Sequence, residues 1–193
     1  MSDEVLLVDN PADGVRRLTL NRPEKRNALS NPLRGALLDA LVAADIDDGI
    51  RVTIVRGAGS CFSAGYDLGG GNAGHELPFP TTPGDGQWPR HVTDGWMGIW
   101  DLAKPVIAQV HGIATAAGCQ LVATCDLAVA AEGTRFGVNG VNIGLFCSTP
   151  MVALSRNIAR KHAMRMLLTG DPVPADTAFA MGLVSDVVDD DDL

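Results

Sequence analysis

Aromatic residues make up only 5% of this 193-residue chain, with a single tyrosine, and basic residues are outnumbered by acidic ones, 15 to 23. Each shortage excludes something. The net charge is −8, half of it from Asp189 to Asp192, so no basic face remains for a phosphate backbone and nucleic acid is not expected as a partner. The four cysteines, Cys61, Cys119, Cys125 and Cys147, show neither C-x-x-C spacing nor a nearby histidine pair, which argues against a metal site and against a secreted disulfide framework. They point to a reducing cytoplasm. No stretch approaches the ~18 apolar residues needed to span a bilayer, and "MSDEVLLVDNPADG" lacks a basic segment followed by an apolar one. A soluble, unexported, cytoplasmic protein without a membrane partner is expected.

What the chain does contain is small residues and short strands. A 46% hydrophobic fraction with 22 glycines suits an α/β protein whose backbones approach closely, and the length suits one domain over residues 1–193. "EVLLVDN" and "GVRRLTLN" flank a turn at Asn10 to Gly14 and read as an opening hairpin. Asn31 is placed to cap a helix with Pro32 at its first position, and Leu33, Leu37 and Leu41 give that helix an apolar face. "RVTIVRG", "PVIAQVHG" and "LVSDVV" read as strands, the first two ending in glycine turns. After "CDLAVAAEG" the pattern is helical: one helix starting near Pro150, one ending at Gly170 and one ending at Gly182. The order is not that of a regular doubly wound βαβ series.

Gly69, Gly71 and Gly74 match the spacing of a dinucleotide loop, but the helix that must follow is excluded by prolines 78, 80, 83 and 89. Gly69 to Arg90 reads instead as a long loop and a lid candidate. The residues around it carry more. "LNRPEKRNALS" (Leu20–Ser30), "GSCFSAGYDL" (Gly59–Leu68) and "HGIATAAGCQLVATCDLAVA" (His111–Ala130) occur in that order. Together they resemble the crotonase, or enoyl-CoA hydratase/isomerase, superfamily, and the resemblance runs from about Val5 to Val188.

That resemblance implies a crotonase-like α/β spiral of ββα units with helices around it, and an acyl-CoA thioester as ligand, coenzyme A being part of the substrate and no other cofactor needed. In the family the thioester oxygen sits between two backbone N–H groups, which here align with Tyr66 and Ala117, the latter at the positive end of a helix. The small residues Ala64, Gly65, Ala116 and Gly118 are expected to let the thioester lie against the backbone. Lys25, Arg26 and Ala28 fall where family members approach the CoA, though Lys25 and Arg26 are equally readable as a solvated surface pair. Asp67 and Leu68 follow the first donor, Asp67 as a local hydrogen-bonding anchor.

The chain also departs from the family. Hydratases position a water with two glutamates, and the resemblance puts Gln120 and Gly140 in their places. A positioned acid or base supplies about 10² to 10⁴ in rate, so water addition is expected to suffer more than thioester binding. Gln120 and Asn142 are left as groups that could orient a water. Cys147 and Ser148 are candidates near the acyl group, set against a small core residue and a helix cap respectively. His111 and His162 read as structural, whereas His75, Glu76 and Asp94 are lid-region candidates. Family members continue into helices that complete the pocket and join trimers or hexamers, and that segment is expected to be missing here.

Overall fold

A computed structural model describes residues 4–68 and 96–193 of the chain. The lid candidate Gly69 to Arg90, the glycine spacing within it, and His75, Glu76 and Asp94 lie outside the described residues. Strand β1 (Leu6–Ala12) pairs antiparallel with β2 (Val15–Leu20), and the register shifts between Asp9 and Ala12. The expected hairpin is therefore present, with its turn tightened to Asp13 and Gly14, the glycine at φ +76°. β2 pairs in parallel with β3 (Val52–Gly57), β3 with β4 (Val106–Val110), β4 with β6 (Leu127–Ala131), and β6 with β9 (Asp186–Val188). This gives a six-stranded sheet in the order β1-β2-β3-β4-β6-β9.

The pattern in β3 shows why it sits there: Thr53, Val55 and Gly57 are buried while Val52, Ile54 and Arg56 are half-buried, the period of two that puts one face on a core. Against that face lies α1 (Asn31–Ile46), whose Leu33, Leu37, Leu41 and Ala44 are all buried at helical spacing. Each leucine contributes about 2 kcal/mol by leaving water. The helix is capped one residue earlier than expected: the Ser30 hydroxyl accepts from the Leu33 N–H at 3.4 Å, and Asn31 is the first helical residue.

A second sheet was not legible in the sequence. It joins β5 (Ile113–Thr115), β7 (Arg135–Gly137) and β8 (Val173–Pro174), so the stretch read as helical between residue 133 and the last strand contains two short strands. Strands of two or three residues have too few positions to show alternation. The other α-helices are α2 (Ala117–Thr124), packed on β4 and β5, α3 (Ser148–Asn157), packed on α2, α4 (Arg160–Thr169), packed on α3, and α5 (Ala175–Met181), packed on β7, β8 and β9. α4 and α5 end as expected on left-handed Gly170 and Gly182, and every residue of α2 is buried. The expected crotonase-like α/β class holds: ββα units packed around a parallel sheet. No described helix is long and apolar enough to cross a membrane.

Candidate active site

The first motif folds into a short 3₁₀ turn, Pro23–Lys25, followed by Arg26 and Asn27 in left-handed conformations, φ +50° and +52°. This turn aims Asn27 inward. Its side chain is fully buried, accepts from the Arg22 N–H at 2.9 Å, and donates to the Ala58 and Cys61 carbonyls, each at 2.8 Å. Ser63 in turn donates its hydroxyl to the Asn27 carbonyl (2.9 Å) and accepts from the Gly65 N–H (3.2 Å). The first motif is thus the frame that fixes the second.

The second motif meets the first and the third through single β-bridges, Leu29 with Tyr66 and Ser63 with Ala114. The Leu29 N–H donates to the Gly65 carbonyl (2.8 Å) and the Asp67 N–H to the Leu29 carbonyl (3.3 Å), which directs the Tyr66 N–H away from Leu29. Two glycines allow the close approach. A β-carbon on Gly65, at φ +95°, would fall 2.8 Å from the Ala116 β-carbon and 3.2 Å from the Ala117 nitrogen, and one on Gly118 would fall 2.5 Å from the Ser63 carbonyl oxygen. Gly65 and Gly118 therefore serve contact between the two motifs; neither lines the cavity described below, where they were expected to meet the thioester.

Ala116 is held at φ +49°, ψ −119°, a conformation that costs an L-residue on the order of 1–3 kcal/mol, with its N–H donating to the Gly137 carbonyl at 2.8 Å. The strained residue turns the chain into α2. The first helical amide to find a carbonyl of this turn is that of Gln120, bonded to Ala116 at 3.0 Å, so the Ala117 N–H has no partner inside its own helix.

Beside this junction is a cavity of about 260 Å³. It is lined by Ala64, Tyr66 and Leu68, by Ala116 and Ala117, and by Asn139, Gly140, Asn142, Ile143, Leu145 to Cys147 and the first turn of α3. Of the sequence-derived candidates, Ala64, Tyr66, Leu68, Ala116, Ala117, Gly140 and Asn142 are brought together here, and Cys147 and Ser148 join them. Ser148 is the first residue of α3, Cys147 holding the cap position, so the cap role expected for Ser148 is displaced by one. Burial pushes the Cys147 thiol up, while a hydrogen bond involving the Gly140 backbone acts against this. Deeper in, burial pushes the Cys119 thiol up to about 12.

The remaining candidates lie elsewhere. Lys25 and Arg26 are exposed and Ala28 half-buried, none of them on the cavity wall. Asp67 is the expected anchor: its carboxylate pairs with the Arg22 guanidinium at 2.8 Å, and Arg22 also donates to the Ala28 carbonyl at 2.6 Å. His111 is structural, its Nε2 2.9 Å from the Gly59 carbonyl, and His162 lies on α4. Gln120 is wholly buried with both ends of its amide lacking a hydrogen-bond partner among the described residues. At Gly140, a β-carbon would meet the Leu145 carbonyl oxygen at 2.5 Å and the Cys147 sulfur at 2.6 Å, so the space a larger side chain would need is already filled.

Sequence reasoning passed over the residues around Tyr66. The Trp96 indole N–H donates to the Tyr66 hydroxyl at 2.8 Å, and the Arg34 guanidinium lies 5.4 Å from the centre of the Tyr66 ring. Burial raises the Tyr66 phenol, opposed by Trp96, Thr149 and Arg34, which all interact with it. An arginine on an amphipathic helix reads as solvated, so no signal in the sequence singled it out.

A family model described as enoyl-CoA hydratase/isomerase matches residues 10–193. The chain is 45% identical over 184 residues to a Danio rerio protein named enoyl-CoA hydratase domain-containing protein 3, mitochondrial, covering 93% of this chain and 61% of that protein. It is 37% identical to the Escherichia coli 2,3-dehydroadipyl-CoA hydratase, with 92% and 67% covered. Its fold superposes on the crystal structure of an enoyl-CoA hydratase of Mycobacterium smegmatis with a TM-score of 0.85 at 46% identity, covering 97% of this chain and 71% of that one. The chain thus spans about three fifths of the length of the first of these relatives. Five vertebrate relatives, 42–45% identical, are named mitochondrial, which overturns the expectation of a cytoplasmic protein. Reduced thiols describe redox state and do not distinguish between compartments.

Proposed function

Because the chain belongs to the enoyl-CoA hydratase/isomerase family, we propose that it binds an acyl-CoA thioester with the carbonyl oxygen between the Tyr66 and Ala117 N–H groups. The observation that carries this reading is the approach of the two motifs, so close that a β-carbon on Gly65 would stand 3.2 Å from the Ala117 nitrogen. Two N–H donors aimed at one oxygen favour charge that develops on it, and the loss of one such donor costs about 3 to 4 kcal/mol of transition-state stabilisation. The thioester α-carbon then becomes acidic and the β-carbon electrophilic, the chemistry shared by hydration and double-bond isomerisation. Asn142 orients the water or proton carrier, and Ser148 and Thr149 supply hydroxyls to the same cavity. Assembly into trimers or hexamers, and a place in fatty-acid metabolism, belong to the same proposal.

A second reading, acyl-CoA binding without turnover, is favoured by one specific observation: the place beyond Gly140 is filled by the Cys147 sulfur and the Leu145 carbonyl. The two readings part in one experiment. Crotonyl-CoA and a longer trans-2-enoyl-CoA are followed by loss of the conjugated thioester absorbance, with binding measured in parallel. Turnover that disappears in Ala117→Pro, in a variant shown by circular dichroism to stay folded, supports the enzyme. Binding without turnover supports the second reading, and absence of both refutes the acyl-CoA site.

A further inference from the structure

Arg34 is the only cation among the described residues that is more than nine-tenths buried, at 8% exposure. A guanidinium loses much of its hydration on burial, and a well-packed apolar side chain is often as stabilising in its place. Its contacts show what it does there. It bonds the Asn31 side-chain oxygen on the first turn of α1, and it presents its charge to the Tyr66 ring, with Cζ 5.4 Å from the ring centre. Trp96 donates to the Tyr66 hydroxyl at 2.8 Å from a third direction, and Thr149, on the cavity wall at the start of α3, also hydrogen-bonds that hydroxyl. One ring is therefore tied to α1, to Trp96 and to α3. The same residue's backbone is tied to Leu29 on either side, by the Gly65 carbonyl and the Asp67 N–H.

We propose that Arg34 is a positioning residue of the thioester site: by clamping the Tyr66 ring between α1 and α3, it fixes the orientation of the Tyr66 N–H, the donor opposite Ala117. This inference rests on the acyl-CoA reading above. Arg34 touches no substrate. Its effect reaches the carbonyl through Tyr66, whose rotation about its backbone would swing the N–H off the oxygen, and a cation over a ring at this distance resists that rotation. Trp96 holds the hydroxyl end, which Thr149 and the Arg34 guanidinium also engage, and Arg34 lies over the face as well.

The test uses 2,4-hexadienoyl-CoA, whose conjugated thioester absorbs at longer wavelength as its carbonyl is polarised. The full chain is titrated with the probe, and the absorbance shift and the dissociation constant are read from the same experiment. In Arg34→Met, which keeps the stem and loses the charge, the red shift is expected to fall to about half or less while affinity changes by less than about threefold, as a donor moves out of line. Arg34→Lys is expected to recover part of the shift, and Tyr66→Phe, which removes only the hydroxyl anchor, to lose part of it. A merely structural role would lower melting temperature without separating shift from affinity. Equal red shifts in wild type, Arg34→Met and Tyr66→Phe would overturn the inference while leaving the acyl-CoA site standing; if Arg34→Met does not fold, Arg34→Lys and Tyr66→Phe decide. A wild-type protein that binds the probe with no shift, or does not bind it, overturns both.

Discussion

Replacing Gly140 with glutamate, to supply the carboxylate that the family resemblance expects there, is predicted to fail, and the cause is steric. A β-carbon at that position would stand 2.5 Å from the Leu145 carbonyl oxygen and 2.6 Å from the Cys147 sulfur, where real β-carbon contacts essentially never fall below 3.0 Å. Even Gly140→Ala must therefore push backbone aside. Overpacking of this kind costs about 1–3 kcal/mol, and with a main-chain oxygen as one obstacle the upper end applies. At about 2–4 °C per kcal/mol for a chain of this size, the melting temperature should fall by about 6–12 °C. Adding Cys147→Ala removes the sulfur but not the carbonyl, so the double variant should recover only part of the loss. Differential scanning calorimetry of the three variants, with crotonyl-CoA turnover of Gly140→Glu alongside, reads both halves. A wild-type melting temperature in Gly140→Ala, or hydration gained in Gly140→Glu, would show that the loop yields freely and that the argument is wrong.

Gly65→Ala, at φ +95° and with a β-carbon 2.8 Å from that of Ala116 and 2.9 Å from the Thr115 carbonyl oxygen, should part the two motifs and shift a whole wall of the cavity, and isothermal titration with an acyl-CoA should show affinity lost by more than about tenfold, or about 1.4 kcal/mol. Arg22→Met leaves Asp67 without its 2.8 Å partner at 10% side-chain exposure; chemical denaturation should show a loss of about 3 kcal/mol, and Arg22→Met/Asp67→Asn a smaller one than the single change. Burial pushes the Cys119 thiol up to about 12, so the folded state keeps its proton over a window in which the unfolded chain loses it. Stability is full below pH 9 and declines as pH rises toward 12, by on the order of 4 kcal/mol across the window. Thermal melts at pH 8 and pH 10.5 should therefore converge more closely in Cys119→Ala than in wild type, and an unchanged difference would count against the burial argument.

What the sequence revealed follows from the length over which a pattern repeats. α1 shows three turns of leucines on one face, and β3 and β4 are apolar runs closed by glycine, so both could be read. β5, β7 and β8 are two or three residues each, held by pairing with distant segments, and nothing local announces them. At the site the motifs gave Tyr66, Ala117 and the cavity's small residues, because backbone donors require small neighbours in a fixed order. Gly65 and Gly118 stand off the cavity lining, and each is held to glycine by the segment that faces it. The motifs passed over Asn27, Arg34 and Trp96, since a buried polar side chain is recognised by what surrounds it. The location was misjudged because cysteine reactivity is common to more than one compartment.

The two single-residue bridges, Leu29 with Tyr66 and Ser63 with Ala114, also bear on where the molecule opens. They join segments 37 and 51 residues apart, distances like those of the parallel strand pairs, but through one rung each, with no ladder to share the chain-closure entropy. The junction of Ser63, Tyr66 and Ala114 is therefore predicted to open locally before the six-stranded sheet does. Its amides, Thr115 bonded to Ser63 at 3.0 Å and Asp67 bonded to Leu29 at 3.3 Å, should exchange with solvent deuterium through local openings well below the energy of global unfolding, and a thioester that spans the seam should slow both.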